Sequence, residues 1–243
     1  MRYLVLGDIH SNLEALQAVR QYKDYERVLL LGDLVGYGAD PGETIHLVQE
    51  MKPVAMVRGN HDKVVAGLEE GDLFVSHALE SALWTRKQLS EESLRYLRDL
   101  PEGPIRVDSQ VTIVHGAPFD EDAYLLPHAP ASSVFDGWST PVCFFGHTHI
   151  PTVFCRVGST TYSSQVEQPA KMVLNLDSSR YLVNPGSVGQ PRDGDPRAAF
   201  VVFDTNTKVI EFFRVDYDIR TAQEKIREAG LPVFLSQRLA RGT

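Results

Sequence analysis

The sequence predicts an α/β protein, and three observations carry that prediction. Short apolar, β-branched runs alternate with helical patterns through the first half of the chain. Nearly every one of those runs ends in a cluster of Gly with Asp, Asn or His. The composition, 43% apolar and 23% charged over 243 residues, is that of a chain able to bury a sizeable core.

Taken in order, Tyr3–Leu6, Val28–Leu31, Pro53–Val57, Val111–Val114 and Val142–Phe145 read as strands. Ser11-Asn-Leu-Glu is a capping box, predicting a helix from Ser11 with Leu13, Leu16 and Val19 on one face. Gly42 to Met51 gives a second helix, stopped before Pro53. Ser76–Gln88 and Ser90–Leu100 read as an antiparallel helix pair that could lean over the mouth of the sheet. After Gly146 the strands shorten (Thr152–Val157, Met172–Leu176, Tyr181–Val183, Ala199–Asp204, Lys208–Val215), predicting a second, more antiparallel sheet. Gly158 to Gln168 is polar and Ser/Thr-rich and is expected to be an exposed, mobile loop. Thr221-Ala-Gln-Glu is another capping box, opening a C-terminal helix that ends at Gly230. Nothing marks a linker or repeat, so residues 1–243 are expected to form a single domain.

Charge narrows the function. Lys and Arg number 24 against 32 Asp and Glu, a net −8, so no global basic field draws in nucleic acid, and a nucleic-acid substrate would need a local groove. No run approaches the roughly 18–20 apolar residues of a membrane helix, and Tyr3–Leu6 stops at Gly7-Asp8, too soon for a signal peptide. The expected location is the cytoplasm, with no membrane partner. Cys143 and Cys155 have no metal-ligand spacing and are expected to be buried reduced thiols.

The chemistry sits at the strand ends: Asp8-Ile9-His10, Gly32-Asp33, Gly59-Asn60-His61-Asp62, His115-Gly116 and Gly146-His147-Thr148-His149. In open α/β sheets ligands bind beyond the carboxyl ends of strands, so these groups can converge. Asp8 and His10, like His147 and His149, are two apart, placing both side chains of each pair on one side of an extended chain. A lone Asp after a strand is usually a cap and a lone His is usually a hydrogen-bonded core residue. The joint pattern differs, because five of the eight histidines fall in these motifs. His46, in a helix, His77, opening one, and His128, between Pro127 and Pro130, take the ordinary structural reading. Imidazole, carboxylate and an Asn oxygen together suit borderline divalent ions. Seven candidate ligands (Asp8, His10, Asp33, Asn60, His115, His147, His149) exceed one tetrahedral site and suggest two metals, with Asp33 as the bridging carboxylate. Two divalent ions against the carboxylates of Asp8 and Asp33 leave about two positive charges, which suits a hydroxide and an anionic phosphoryl group.

Through GDIH (7–10), GDLVGYG (32–38), GNHD (59–62), VHG (114–116), GHTH (146–149) and NPGSVGQPR (184–192), the sequence resembles the calcineurin-like metallophosphoesterases. Its general look is nearest their small bacterial and archaeal phosphodiesterases. The resemblance implies a four-layer αββα sandwich of two mixed β-sheets flanked by helices. It implies one metal on Asp8, His10, Asp33 and His149, a second on Asp33, Asn60, His115 and His147, and His61 as general acid. Mn is the expected ion, with Fe, Zn, Ni, Co or Mg as alternatives. The implied reaction is phosphodiester or phosphomonoester hydrolysis of a small phosphorylated substrate, by a metal-bridging hydroxide with His61 protonating the leaving oxygen. Asp62 either supports His61 or caps the following helix. Arg192 either contacts phosphate or pairs with Asp193 or Asp195. Tyr37 either lines the substrate mouth or packs in the core. Family members acting on phosphoproteins or symmetrical dinucleoside polyphosphates carry GDxVDRG, whereas Gly36-Tyr37 stands here in its acidic and arginine positions, weakening those assignments. A non-catalytic scaffold is the alternative from another class, disfavoured because all seven ligands and His61 are present. The sequence sets no oligomeric state.

Overall fold

The computed structural model describes residues 1–126 and 133–243. In chain order the elements are β1 (Arg2–Leu6), α1 (Leu13–Arg20), β2 (Arg27–Leu30), α2 (Pro41–Met51), β3 (Ala55–Met56), α3 (Asn60–Ala66), α4 (Ser76–Gln88), α5 (Glu91–Arg98), β4 (Ile105–Arg106), β5 (Val111–Ile113) and β6 (Val142–Phe144). They continue with β7 (Thr152–Val157), β8 (Thr160–Gln165), β9 (Ala170–Val173), β10 (Ser179–Asn184), β11 (Ala198–Asp204), β12 (Val209–Val215), α6 (Ile219–Glu228) and α7 (Val233–Leu239). Two six-stranded sheets result, ordered β3-β2-β1-β11-β12-β9 and β4-β5-β6-β10-β7-β8. Both are mixed: β1, β2 and β3 run parallel while β11 is antiparallel to β1, and β5, β6 and β10 run parallel while β7 is antiparallel to β10.

The period of two along each strand builds the layers. Leu4 and Leu6 of β1 face the helices, packing with Leu16, Val19 and Val48, whereas Tyr3 and Val5 face the other sheet, packing with Val201, Phe203 and Phe144. Cys143, Phe145, Phe154 and Leu182 line the outer face of the second sheet under Phe135 and Trp138. Helices α6 and α7 add a separate apolar cluster, Ile226, Leu231, Leu235 and Leu239, that reaches Tyr37.

Several expectations are corrected. The second half of the chain does not build its own sheet: β11, β12 and β9 extend the β1 sheet, and β10, β7 and β8 extend the β6 sheet. Pairing β1 with β11 satisfies the second edge of an apolar strand that would otherwise be left open. Residues 158–168 are not a loop. Their Thr160-Thr161-Tyr162 run pairs with β7 as β8, a polar edge strand with one face open to solvent. The first helix is capped by Asn12, whose side chain accepts from the Ala15 amide, and the C-terminal one by Asp218, which accepts from the Thr221 amide. The caps therefore sit one residue after the expected Ser11 and three residues before the expected Thr221. Helices α3 and α7, seven residues each, are too short to show a periodic stripe. Cys143 is buried but Cys155 is only half-buried, at the end of β7 where the strand's inner burial gives out. Both are free thiols. The reading of His128 falls outside the described residues. Among the described residues, no helix is long and apolar enough to cross a membrane.

Candidate metal centre and its cavity

The site forms where β1, β2, β3, β5 and β6 end. Asp8 and His10 leave β1, Asp33 leaves β2, Asn60 opens α3 after β3, His115 follows β5, and His147 and His149 follow β6. Asp8, His10, Asp33, His147 and His149 all adopt positive φ, between 50° and 67°, in the left-handed region that L residues seldom occupy. Such strain persists only where the surroundings enforce it, and it concentrates at functional sites. Here the enforcing bonds are visible: the Asp8 amide donates to Gly32 O, the His10 amide to Asp33 O, and Gly189 N to Asp8 O. The Asn184 side chain donates to Gly146 O at 2.7 Å, and Ser187 Oγ to Asp8 O at 2.7 Å. The NPGSVGQ segment thus braces the ligand-bearing turns from behind. Gly59 has no substitute, since a Cβ there would lie 2.1 Å from Asp33 Oδ1.

Asp8, His10, Asp33 and His149 converge in one group and Asp33, His115 and His147 in another, with Asp33 common to both. Three of the imidazoles hold a backbone carbonyl with Nδ1: His10 on Val35 (3.1 Å), His115 on Leu31 (2.7 Å) and His149 on Gln190 (2.7 Å). A carbonyl only accepts, so each Nδ1 carries the proton and each Nε2 presents a bare lone pair. Those lone pairs face other acceptors. His10 Nε2 is 3.1 Å from His149 Nε2, and His115 Nε2 is 3.2 Å from Asn60 Oδ1. Carboxylate oxygens close the ring: His10 Nε2 is 3.4 Å from Asp33 Oδ2, His115 Nε2 3.6 Å from the same oxygen, and His149 Nε2 3.5 Å from Asp8 Oδ1. His147 Nε2 is buried with no hydrogen-bond partner among the described residues. Acceptors crowded on acceptors are repulsive until cations lie between them, so the donor set fits divalent metal ions.

The electrostatics agree. Burial pushes the Asp8 carboxyl up to about 7 and the Asp33 carboxyl well above the usual range, while burial drives His10, His147 and His149 down. Charge in the center is held unfavourably by the protein alone.

The remaining candidates surround this centre. The His61 ring is held by aromatic neighbours, with centroids 4.3 Å from Tyr37, 4.6 Å from Phe74 and 4.9 Å from His10. Its Nδ1 is buried with no hydrogen-bond partner among the described residues, and burial followed by the nearby Arg192 holds the ring neutral. Asp62 does not touch it. That carboxylate accepts from the Gly59, Leu34 and Val35 amides at 3.0, 2.9 and 3.3 Å, so it caps α3 and fixes the Asp33 turn. Arg192 does not pair with Asp193 or Asp195, which bind Arg214 and Arg197 instead. Its guanidinium bonds Gln190 Oε1 at 3.0 Å, and its Nε is buried without a hydrogen-bond partner among the described residues. Tyr37, 7% exposed, is both packed and facing the opening.

A cavity of about 680 Å³ opens over the centre, with Asp33, Asn60, His61, His147, His149 and Arg192 in its floor and walls. Several of its residues escaped the sequence reading, the aromatic Phe74 and Tyr124 among them. Phe74 precedes α4, and Tyr124 lies 3.8 Å, ring to ring, from His147. Neither carries a local signal, because each meets the site only through a long-range contact.

Comparison with known proteins follows the same line. The family model described as the calcineurin-like phosphoesterase superfamily domain matches residues 1–208. An uncharacterized protein of Methanocaldococcus jannaschii is 39% identical over 246 residues, spanning 98% of this chain and 97% of that protein. The crystal structure of a metallophosphoesterase from Sphaerobacter thermophilus is similar over 100% of both chains, with 38% identity and a TM-score of 0.87. A hypothetical protein from Pyrococcus horikoshii shares the fold at 22% identity and a TM-score of 0.76, over 100% of this chain and 98% of that one. With strand-end Asp and His side chains gathered to bind metal, and with these matches across its length, the chain belongs to the calcineurin-like phosphoesterase superfamily.

Proposed function

We propose that this protein is a two-metal phosphoesterase that hydrolyses a phosphodiester or phosphomonoester bond of a small cytoplasmic substrate. The observation that carries the reading is the ring of mutually facing acceptors, with Asp33 shared by both groups. Asp8, His10, Asp33 and His149 would hold one ion, and Asp33, Asn60, His115 and His147 the other, with Mn the first choice. Two bound divalent ions supply Lewis-acid stabilisation of phosphoryl charge and a source of hydroxide near neutral pH.

The chain's own groups do the rest. Arg192 offers a guanidinium fork to the phosphoryl oxygens, freed for that task because Asp193 and Asp195 are occupied elsewhere. Tyr37 and Phe74 fix the plane of His61 by packing. His61, neutral in the free protein, gains a proton when an anionic phosphoryl group lies beside it and delivers that proton to the leaving oxygen. Phe74 and Tyr124 exclude water from the cavity walls.

The test is turnover of bis-(p-nitrophenyl) phosphate and p-nitrophenyl phosphate by metal-stripped protein with and without added Mn, alongside His61→Ala. Mn-dependent turnover is expected on at least one substrate, and their ratio separates diesterase from monoesterase. His61→Ala keeps its metal content while turnover of alkyl esters, with poor leaving groups, falls about 10²–10⁴-fold. No turnover with two metals bound per chain would overturn the enzymatic reading in favour of a scaffold.

A further inference from the structure

The link between α3 and α4 turns an apolar side chain out into solvent at the mouth of the cavity. Gly71 bends the chain at φ 80°, and a Cβ there would lie 2.9 Å from Leu79 Cδ1 and 3.3 Å from Val64 Cγ1, so the turn is seated on both helices. The Phe74 amide donates to Gly71 O at 2.9 Å and closes the turn. Phe74 thereby swings inward, its ring centroid 4.6 Å from that of His61, while Leu73 stands at the tip, 95% exposed. Val75 is exposed as well, and both line the cavity together with Phe74 and Ala78. Turn tips usually carry polar residues, so a bare Leu at a cavity mouth marks a surface that a ligand covers. Charge along the same stretch has one sign. Glu69 shares Lys63 with Glu121 and Asp122, whereas Glu70 and Asp72 hold no cation among the described residues. Arg192, whose amide donates to His149 O, brings its guanidinium to the cavity from the metal-binding side. An anion is therefore drawn to the floor and repelled at the rim.

We propose that the 71–75 turn is the leaving-group wall of the site and selects substrates whose leaving group is apolar and carries no negative charge. The inference rests on the phosphoesterase reading, in which His61 protonates the leaving oxygen. Phe74 packs on His61, so the group attached to that oxygen extends along Phe74, Leu73, Val75 and Ala78. A chain or ring laid on Leu73 and Val75 removes apolar surface from water on both sides. A leaving group with a phosphate or carboxylate of its own meets Glu70 and Asp72 instead, and like charges brought together oppose binding. Phosphoesters of apolar or cationic alcohols fit this wall, whereas nucleoside polyphosphates and nucleic-acid strands do not.

Binding tests this without turnover. Methylphosphonate, hexylphosphonate, 6-phosphonohexanoate and 6-aminohexylphosphonate share a head group and differ in the tail and its charge, and each is titrated calorimetrically into Mn-loaded protein at fixed salt. The wild type is expected to bind hexylphosphonate about tenfold more tightly than methylphosphonate. It is also expected to prefer the ammonium tail to the carboxylate tail about tenfold. Leu73→Ser, at an exposed position, should cut the hexyl preference to about threefold while changing methylphosphonate affinity less than about twofold. Glu70→Gln combined with Asp72→Asn should cut the preference between charged tails to about threefold or less and leave hexylphosphonate within about twofold. Hexylphosphonate no tighter than methylphosphonate in the wild type, or a preference that Leu73→Ser leaves unchanged, would overturn the apolar wall. Equal affinity for the two charged tails would overturn the exclusion of anions. Tail preferences intact in a protein that hydrolyses no ester would defeat the phosphoesterase reading and leave the wall as a binding surface, whereas hydrolysis without any tail preference would do the opposite.

Discussion

Two clusters of charge lie one helical turn apart on α3 and are built on opposite principles. At its start, Asn60 stands at the candidate metal centre with His61 beside it, where buried acceptors face one another with no donor between them. Three residues on, Lys63 is 2% exposed and fully matched, with Glu69 at 2.9 Å, Glu121 at 3.1 Å and Asp122 at 2.6 Å. Arg58, just before the helix, completes the second cluster by holding Glu121 at 2.8 Å and Glu102 at 3.0 Å. Buried charge that is paired ties chain to chain: here it fastens the 119–124 segment, which carries Tyr124, to α3. Buried charge that is unpaired costs stability and persists because something outside the chain completes it. The difference teaches which polar groups to read as structure and which as chemistry.

That comparison can be broken most severely at Asp33. Asp33→Asn should lower turnover by about 10³-fold or more, the several kcal/mol that a two-metal clamp supplies. It should also lower metal stoichiometry below two per chain. Yet the metal-free variant should melt higher than metal-free wild type, by roughly 2–4 °C for each kcal/mol of relieved buried charge. A lower melting temperature for the variant would mean that the centre is structurally matched after all. Calorimetry with and without chelator reads both arms.

Lys63→Met should do the reverse. It leaves Glu121 and Asp122 short of a cation and should cost about 3 kcal/mol of stability, with two metals still bound per folded chain. Urea midpoints and metal analysis check this together.

The smallest effect sharpens the comparison through pH. Burial would raise the Glu121 carboxyl, but hydrogen bonds from Arg58 and Lys63 outweigh it and hold it below the usual Glu range. A carboxylate depressed in the folded state contributes stability that is complete above its unfolded value and is lost as pH falls through the folded one. The stability gap between wild type and Glu121→Gln, about 1 kcal/mol, should therefore be full at pH 7 and shrink steadily below about 4.5. A gap independent of pH would assign the loss to packing.

Much of this molecule was legible before it folded, and the reasons are local. The strands β1, β2, β5 and β6 announce themselves by apolar runs, and their ends by Gly beside Asp, Asn or His, since a sharp strand-end turn and a ligand are both written in adjacent residues. The grouping of Asp8, His10, Asp33, His115, His147 and His149 followed from the rule that strand carboxyl ends converge. What stayed hidden depends on distance along the chain. No local pattern tells β11 to pair with β1 or β9 with β12, because sheet order is decided by which apolar faces remain uncovered after the others have packed. Strand β8 looked like a loop since an edge strand needs only one partner and little apolar content.

The sequence alone thus determined the α/β class and the strand-end inventory of Asp, Asn and His, both of which rest on residue type and short spacing. Tertiary structure alone decided that Asp62 caps α3, that Asp193 and Asp195 are taken by Arg214 and Arg197, and that Arg192 lies 5.8 Å from the Tyr37 ring. Each of those outcomes is a choice among competing partners, and only the folded chain sets which partner is within reach.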